Sequence, residues 1–352
     1  MTLTCLRLGL GACLVLSLGA PTPAGAQLRA QDAVQPAQTQ PAESQATSPY
    51  SGGTLSFTDE NDMWGGTDRY YTNGLKLDWT SAAGPGPAPV EWMGRQFDWL
   101  LGPGEFRWGL SLSQSIFTPE EIRRQVPDPT DRPYAGHLFG TFSMERSNER
   151  QRTVLELQLG VVGSASGGEF VQNRWHDVIN KYHAEGWDYQ LGDEVTFGAL
   201  AERSWRVPLG EVAGLRTEAI PTGTLAAGTA YTYAGAGVNF RIGSALEADW
   251  GPVRIRPAIS SSPLLRPQRE FGWYVFGGVG GRAVARNLFL DGNTFRDSAS
   301  VDKKWDVGEA QLGAAILWRG MRLAYTQVWQ TKEFTNQRGG QSFGSLSLSV
   351  PF

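Results

Sequence analysis

The 352-residue chain is 41% apolar, 11% aromatic and 19% charged, too rich in large apolar side chains for a disordered protein. Its 44 glycines and 20 prolines suit many short strands joined by turns better than helices. A formal net charge of −4 offers no basic footprint for nucleic acid, and Cys5 and Cys13 lie too near the start to give a trimmed chain a thiolate metal site or nucleophile.

Arg7 precedes the apolar run Leu8 to Ala20, and Ala24-Gly25-Ala26 then supplies the small residues of a secretory cleavage site, so residues 1–26 read as a signal peptide. The run is too short to cross roughly 30 Å of hydrocarbon as a helix. Residues 27–50 are rich in Gln, Ala and Pro and have no periodicity, which suits a flexible leader. The folded unit is expected over 51–352.

From Thr54 onward the pattern has a period of two. Strands are predicted near 53–60, 69–81, 106–117, 134–147, 150–163, 188–206, 212–224, 230–243, 271–287, 304–318, 321–332 and 342–352. The last is the clearest: Leu346, Leu348, Val350 and Phe352 alternate with Ser345, Ser347, Ser349 and Pro351. Twelve strands, a secretory start and a terminal Phe predict an all-β protein, a transmembrane antiparallel β-barrel of the outer-membrane kind, embedded as a monomer. A soluble sandwich or lipocalin-like barrel would alternate too, but it would not account for the terminal strand and the aromatic supply. With an even count both chain ends face the periplasm. Connections after odd strands then face outward: 61–68, 118–133, 164–187, 288–303 and 333–341. The periplasmic stretches 82–105 and 244–270 are too long for plain turns, so either one or both hide extra structure or the strands are miscounted.

Polar residues gather on the outward rim. Glu60-Asn61-Asp62 ends the first strand, Asp68 to Gly74 opens the second, and Gln172-Asn173-Arg174-Trp175-His176 lies in the 164–187 loop. Phe170, Val171, Trp175, Val178, Ile179 and Tyr182 recur at spacings of three and four, predicting an amphipathic helix over 168–183 with Gln172 and His176 on one face. An unperturbed imidazole titrates near neutrality, so His176 can serve as a base. His137 reads as a satisfied lumen group and His183 as a solvated helix residue. Asp131-Arg132-Pro133-Tyr134 reads as a structural corner, with Arg132 able to clamp Asp131. Asn61 and Asp62 alone could be a turn pair; beside Thr72 and beneath His176 they could instead offer oxygens to a hard cation and donors to an oxyanion.

The stretches ENDMWGGTDRYYTNGLKLDW, TDRPYAGHL, VQNRWHDVINKYHAEGWDYQ and NLFLDGNTFRDS resemble the LpxR-type lipid A 3′-O-deacylases of Gram-negative outer membranes. The resemblance implies a twelve-stranded barrel that works on lipopolysaccharide in the outer leaflet, with a calcium-dependent site under a loop helix facing outside. Carried over by position, that site falls on Asn61, Asp62, Thr72, Gln172 and His176. It implies His176 as general base and Asp62 as calcium ligand, with Asn61, Thr72 and Gln172 assisting. A basic substrate-binding residue of the family corresponds to Arg123 or Arg124, and Tyr182 stands where the family's best-known member carries a carboxylate. A phospholipase-type esterase using Thr72 as nucleophile, and a non-enzymatic barrel, are the alternatives.

Overall fold

A computed structural model describes residues 52–66, 69–259, 261–263 and 270–352. The predicted signal peptide and leader lie outside them. Each predicted strand has a counterpart: β1 Thr54–Asn61, β2 Tyr70–Thr80, β3 Glu105–Thr118, β4 Ala135–Ser147, β5 Gln151–Val162, β6 Glu194–Trp205, β7 Val207–Val212, β8 Leu215–Gly228, β9 Tyr231–Gly243, β10 Phe271–Asn287, β11 Asp306–Trp318, β12 Met321–Gln330 and β13 Gln341–Pro351. Apart from β6 and β7, which both pair with β8, neighbours in sequence pair antiparallel, and β1 pairs with β13, so the sheet closes.

β6 and β7 are two parts of one strand. Ser204 pairs with Thr222 and Val207 with Ala219 on the same partner, β8, so the barrel has twelve strands. The expected strand 188–206 is corrected at both ends. It starts at Glu194, because Trp187–Tyr189 forms a 3-10 turn, and it runs on through β7 to a two-residue turn. That turn needs positive φ twice, supplied by Ala213 (51°) and Gly214 (77°).

Side chains obey the pleat. In β1, Leu55 and Phe57 are exposed outward while Thr54, Ser56, Thr58 and Glu60 are buried inward. At the end holding Thr54 and Phe352 both long connections carry structure, and the count of twelve stands. Residues 82–105 contain the helices α1 (Ala88–Gln96) and α2 (Asp98–Leu101). The described part of the 244–270 connection turns into the lumen. Arg241 and Arg322 hold Asp249 at 2.6 and 2.5 Å, and Arg254 reaches Glu60 at 2.8 Å and Glu309 at 3.2 Å. Arg256 pairs with Glu202 and Glu156.

The opposite end, called here the loop end, is closed by apolar side chains. Asn287 caps a short helix, α4 (Leu288–Asp291), by accepting from Phe289 N at 3.1 Å. Leu288 and Phe289 then sit among Tyr71, Phe117, Val328 and Phe343 across the lumen mouth. The motif NLFLDGN therefore seals the barrel. His137 is buried in the lumen and bonded through Nε2 to Thr196 Oγ1 at 2.9 Å, as expected of a satisfied group. Arg132 does not clamp Asp131. Asp131 accepts instead from Glu120 N and Arg132 N, and the buried Arg132 guanidinium crosses to Glu333 at 3.3 Å and lies over Phe117.

Candidate active site on the outer wall

The site begins with a bulge in β2. Tyr71 pairs with Phe117 and Asn73 with Ile116, so Thr72 is an extra residue in the ladder. The extra residue flips the alternation: Tyr71 enters the lumen, donating its hydroxyl to Glu60 at 2.9 Å, while Asn73 shares the outward face of Leu75 and Leu77. Thr72 is left buried at the wall, its hydroxyl 2.7 Å from that of Thr118. Tyr70, just before the bulge, has φ 72°, in the left-handed region that a bulky residue rarely occupies. It is fixed there by an edge-on contact with Phe334 and by accepting from Arg338 N at 3.1 Å.

At the end of β1 the outward residue Asn61 caps a 3-10 turn, Asp62–Gly65, by accepting from Met63 N at 2.9 Å. Asp62 is buried and accepts from Arg69 N at 2.5 Å. Glu60 leaves this cluster. It points into the lumen toward Arg254, so only part of the predicted polar patch belongs to the site.

The roof is α3, Gly168–Val178. It presses so closely on the wall that a Cβ on Gly168 would come within 2.9 Å of Gly136 Cα, which leaves glycine as the residue that fits. The expected span of 168–183 is too long. Asn180, at φ 55°, breaks the helix, and the chain folds back. That reversal brings the Tyr182 carbonyl to His176 Nδ1 at 2.6 Å. A carbonyl only accepts, so Nδ1 carries a proton and the neutral ring keeps its lone pair on Nε2. Asn173 Oδ1 accepts from Ala184 N at 3.0 Å and pins the returning chain to the helix. His183 is outside the helix, exposed, and bonded to Asp177 at 2.7 Å; that bond holds the Asp177 carboxyl below its usual range.

Gln172, one turn before His176, is 2% exposed. Its Oε1 accepts from Trp187 Nε1 at 3.0 Å, while its Nε2 is buried with no hydrogen-bond partner. Trp187 is in turn packed on Tyr134. Asn61, Asp62, Thr72, Gln172 and His176 line one small cleft, together with Met63, Asn73, Trp175 and Lys181. The structure thus brings together the catalytic and metal candidates read from sequence. Arg123 and Arg124 do not line it. Arg124 is tied to Asp128 at 3.3 Å on the surface, and Arg123 lies 4.7 Å over the Tyr182 ring, one residue from the cleft.

Sequence reasoning missed Lys181, whose backbone N donates to the His176 carbonyl at 2.8 Å. The signal was a basic residue five positions after His176, inside a stretch expected to stay helical. Trp187 was missed as well, because an indole that orients an amide looks like any core aromatic. Among the described residues no three His, Cys, Asp or Glu side chains converge as a metal cluster. The oxygens of Asp62, Asn61 and Thr72 have the hard-donor chemistry calcium takes, but with one carboxylate they would form an incomplete shell that substrate or water must finish.

A closed barrel with an apolar outer belt, a filled lumen and a polar cleft on its outside wall is an outer-membrane β-barrel with a lateral site. The family model described as outer membrane protein LpxR matches residues 24–352, and the chain belongs to that family. The solved structure of LpxR from Salmonella typhimurium is 21% identical, with a TM-score of 0.70 over 85% of this chain and 100% of that one. The β domain of the Bordetella autotransporter BrkA is 11% identical with a TM-score of 0.43, covering 86% of this chain and 100% of that one. No curated protein sequence matches.

Proposed function

We propose that the protein hydrolyses the ester-linked 3′ acyl chain of lipid A, with the loop end of the barrel facing outside the cell. The supporting observation is the position of the cleft. It opens on the lipid side of the wall, above the outward stripes of β1 and β2, where a lipid can enter sideways without leaving its leaflet. A lumen filled at both ends does not support a channel.

In this mechanism His176 Nε2 takes a proton from a water that attacks the ester carbonyl. The Tyr182 carbonyl holds the ring in the required tautomer. Gln172 Nε2, buried with a vacant valence, donates to the developing oxyanion. Lys181 supplies positive charge toward an anionic lipid, the part first assigned to Arg123 or Arg124. Calcium would be held by Asp62 with oxygens of Asn61 and Thr72, and would supply charge to polarise the ester or bridge lipid phosphate. Thr72 is hydrogen-bonded to Thr118, which favours water over an acyl-enzyme on Thr72 as the attacking group.

Mass spectrometry of lipid A and phospholipids from cells with and without the protein tests this. Loss of the 3′ acyl mass from lipid A is expected. Unchanged lipid A with accumulating lysophospholipid would assign the protein to the phospholipase class instead.

A further inference from the structure

At the end opposite the cleft, the helices α1 and α2 lie against the outside of the barrel. Pro87 and Pro89 set the start, and Phe97 N to Met93 O (3.3 Å) and Leu101 N to Phe97 O (2.8 Å) carry the helical bonds from one helix to the next. The wall beneath them is the lipid-facing one. A Cβ on Gly94 would meet the Phe106 ring at 3.1 Å, and one on Gly86 would meet Trp108 at 3.2 Å. Phe106 and Trp108 share the outward face of Leu110 and Leu112, and Trp108 stacks edge-on with outward Trp79 at 4.7 Å. Met144 and Thr153 also point outward on β4 and β5, yet are 4% and 2% exposed. Arg146 ties α2 down through Asp98 at 2.6 Å, and Arg203 through the Leu100 carbonyl.

The remaining faces of these helices are sorted. Val90, Gly94 and Leu101 are buried against the wall. Seven residues apart on the opposite side, Trp92 and Trp99 are 58% and 79% exposed. Glu91, Arg95 and Asp98 occupy a flank, with Glu91 and Arg95 paired at 3.6 Å. Exposed indoles beside a charged flank, held against the edge of an apolar belt, are the pattern of a helix lying in a membrane interface, where the indole's apolar body and polar N–H are both satisfied.

We infer that α1 and α2 form an interfacial anchor whose Trp92 and Trp99 insert into the headgroup boundary of the leaflet at the chain-terminal end. With the orientation proposed above, this is the phospholipid leaflet on the periplasmic side. The occupant is a lipid surface because the helices continue the lipid-facing aromatic belt of Trp79 and Trp108 without a break. The inference rests on membrane embedding of the barrel and is independent of what the cleft hydrolyses.

The test uses nitroxide labels at Trp92→Cys, Trp99→Cys, Arg95→Cys and Leu157→Cys, each in the full chain with Cys5→Ser and Cys13→Ser, folded into phosphatidylcholine–phosphatidylglycerol vesicles. Leu157 lies mid-belt and reports embedding. The expected result is that labels at 92 and 99 relax several-fold more with oxygen than with a water-soluble nickel chelate, as at 157, whereas the label at 95 favours nickel. Nickel accessibility at 92 and 99 equal to that at 95, with 157 still in lipid, overturns the anchor alone. Nickel accessibility at 157 overturns both the anchor and the membrane reading on which it rests.

Discussion

In the lumen, Arg254 meets Glu60 and Glu309, Arg256 meets Glu156 and Glu202, and Asp249 meets Arg241 and Arg322. Even where a nitrogen such as Arg254 Nη2 lacks a hydrogen bond, two carboxylates balance the charge. Under α3, neutral partners do the holding: a carbonyl for His176 Nδ1, an indole for Gln172 Oε1, a hydroxyl for Thr72. Both regions are buried and polar, so burial of polar groups does not by itself mark a site. Charge saturated by charge makes a rigid filling. Neutral partial satisfaction leaves a valence unfilled, that of the buried Gln172 Nε2, on a residue that lines the cleft.

The comparison breaks if mutations in the two regions act alike. His176→Ala should reduce lipid A deacylation about 10²–10⁴-fold, the usual worth of a general base, with no change in the temperature at which the barrel unfolds. Arg254→Leu should do the reverse. It leaves Glu60 buried without its cation and Glu309 with Arg282 alone at 3.6 Å, a loss of about 3–5 kcal/mol, while activity per folded molecule is retained. Heat-modified gel mobility and a lipid A mass assay on the same samples separate the two. A His176→Ala protein that is fully active would place the chemistry elsewhere. Chelating calcium should act like His176→Ala, abolishing turnover with the barrel folded, because interstrand hydrogen bonds hold the barrel without an ion. Full turnover in excess chelator removes the metal from the mechanism.

A finer distinction concerns Gln172. Replacing it with Leu keeps the volume but removes the unpaired donor, so kcat should fall about 10²-fold, as for loss of an oxyanion donor, with KM little changed. A mainly KM effect would make Gln172 a substrate contact.

The alternation of Leu346, Leu348 and Val350 with serines made the barrel legible, since every strand must present one face to lipid and one to the lumen. The plug was not legible. Its burial depends on partners such as Glu60, far away in sequence, and Trp250 to Ser262 shows no period. The helix at 168 was readable from spacings of three and four. Its end was not, because Ile179 and Tyr182 continue the spacing while Asn180 departs from it in backbone angle alone. The same blindness to backbone hides the bulge at Thr72, which leaves a threonine in the outer wall that a two-residue period would place otherwise. Lys181 enters the cleft through that unseen reversal, whereas Arg123 and Arg124 were candidates through the family resemblance alone.

The smallest effect distinguishes those two arginines. Arg124 is exposed and paired with Asp128, whose carboxyl is held below its usual range chiefly by the Thr130 N–H and hydroxyl and so stays ionised near neutrality. Arg124→Ala should therefore leave kcat and KM unchanged. Arg123 covers Tyr182, whose carbonyl orients His176, and an exposed cation–π contact is worth about 0.5–1 kcal/mol. If that contact steadies the reversal after α3, Arg123→Ala should lower kcat about two- to five-fold, by the usual conversion of such an energy into rate, and Arg123→Lys should restore part of it. A rise in KM alone for Arg123→Ala, with kcat intact, would instead return this residue to the substrate-binding part that Lys181 has been given.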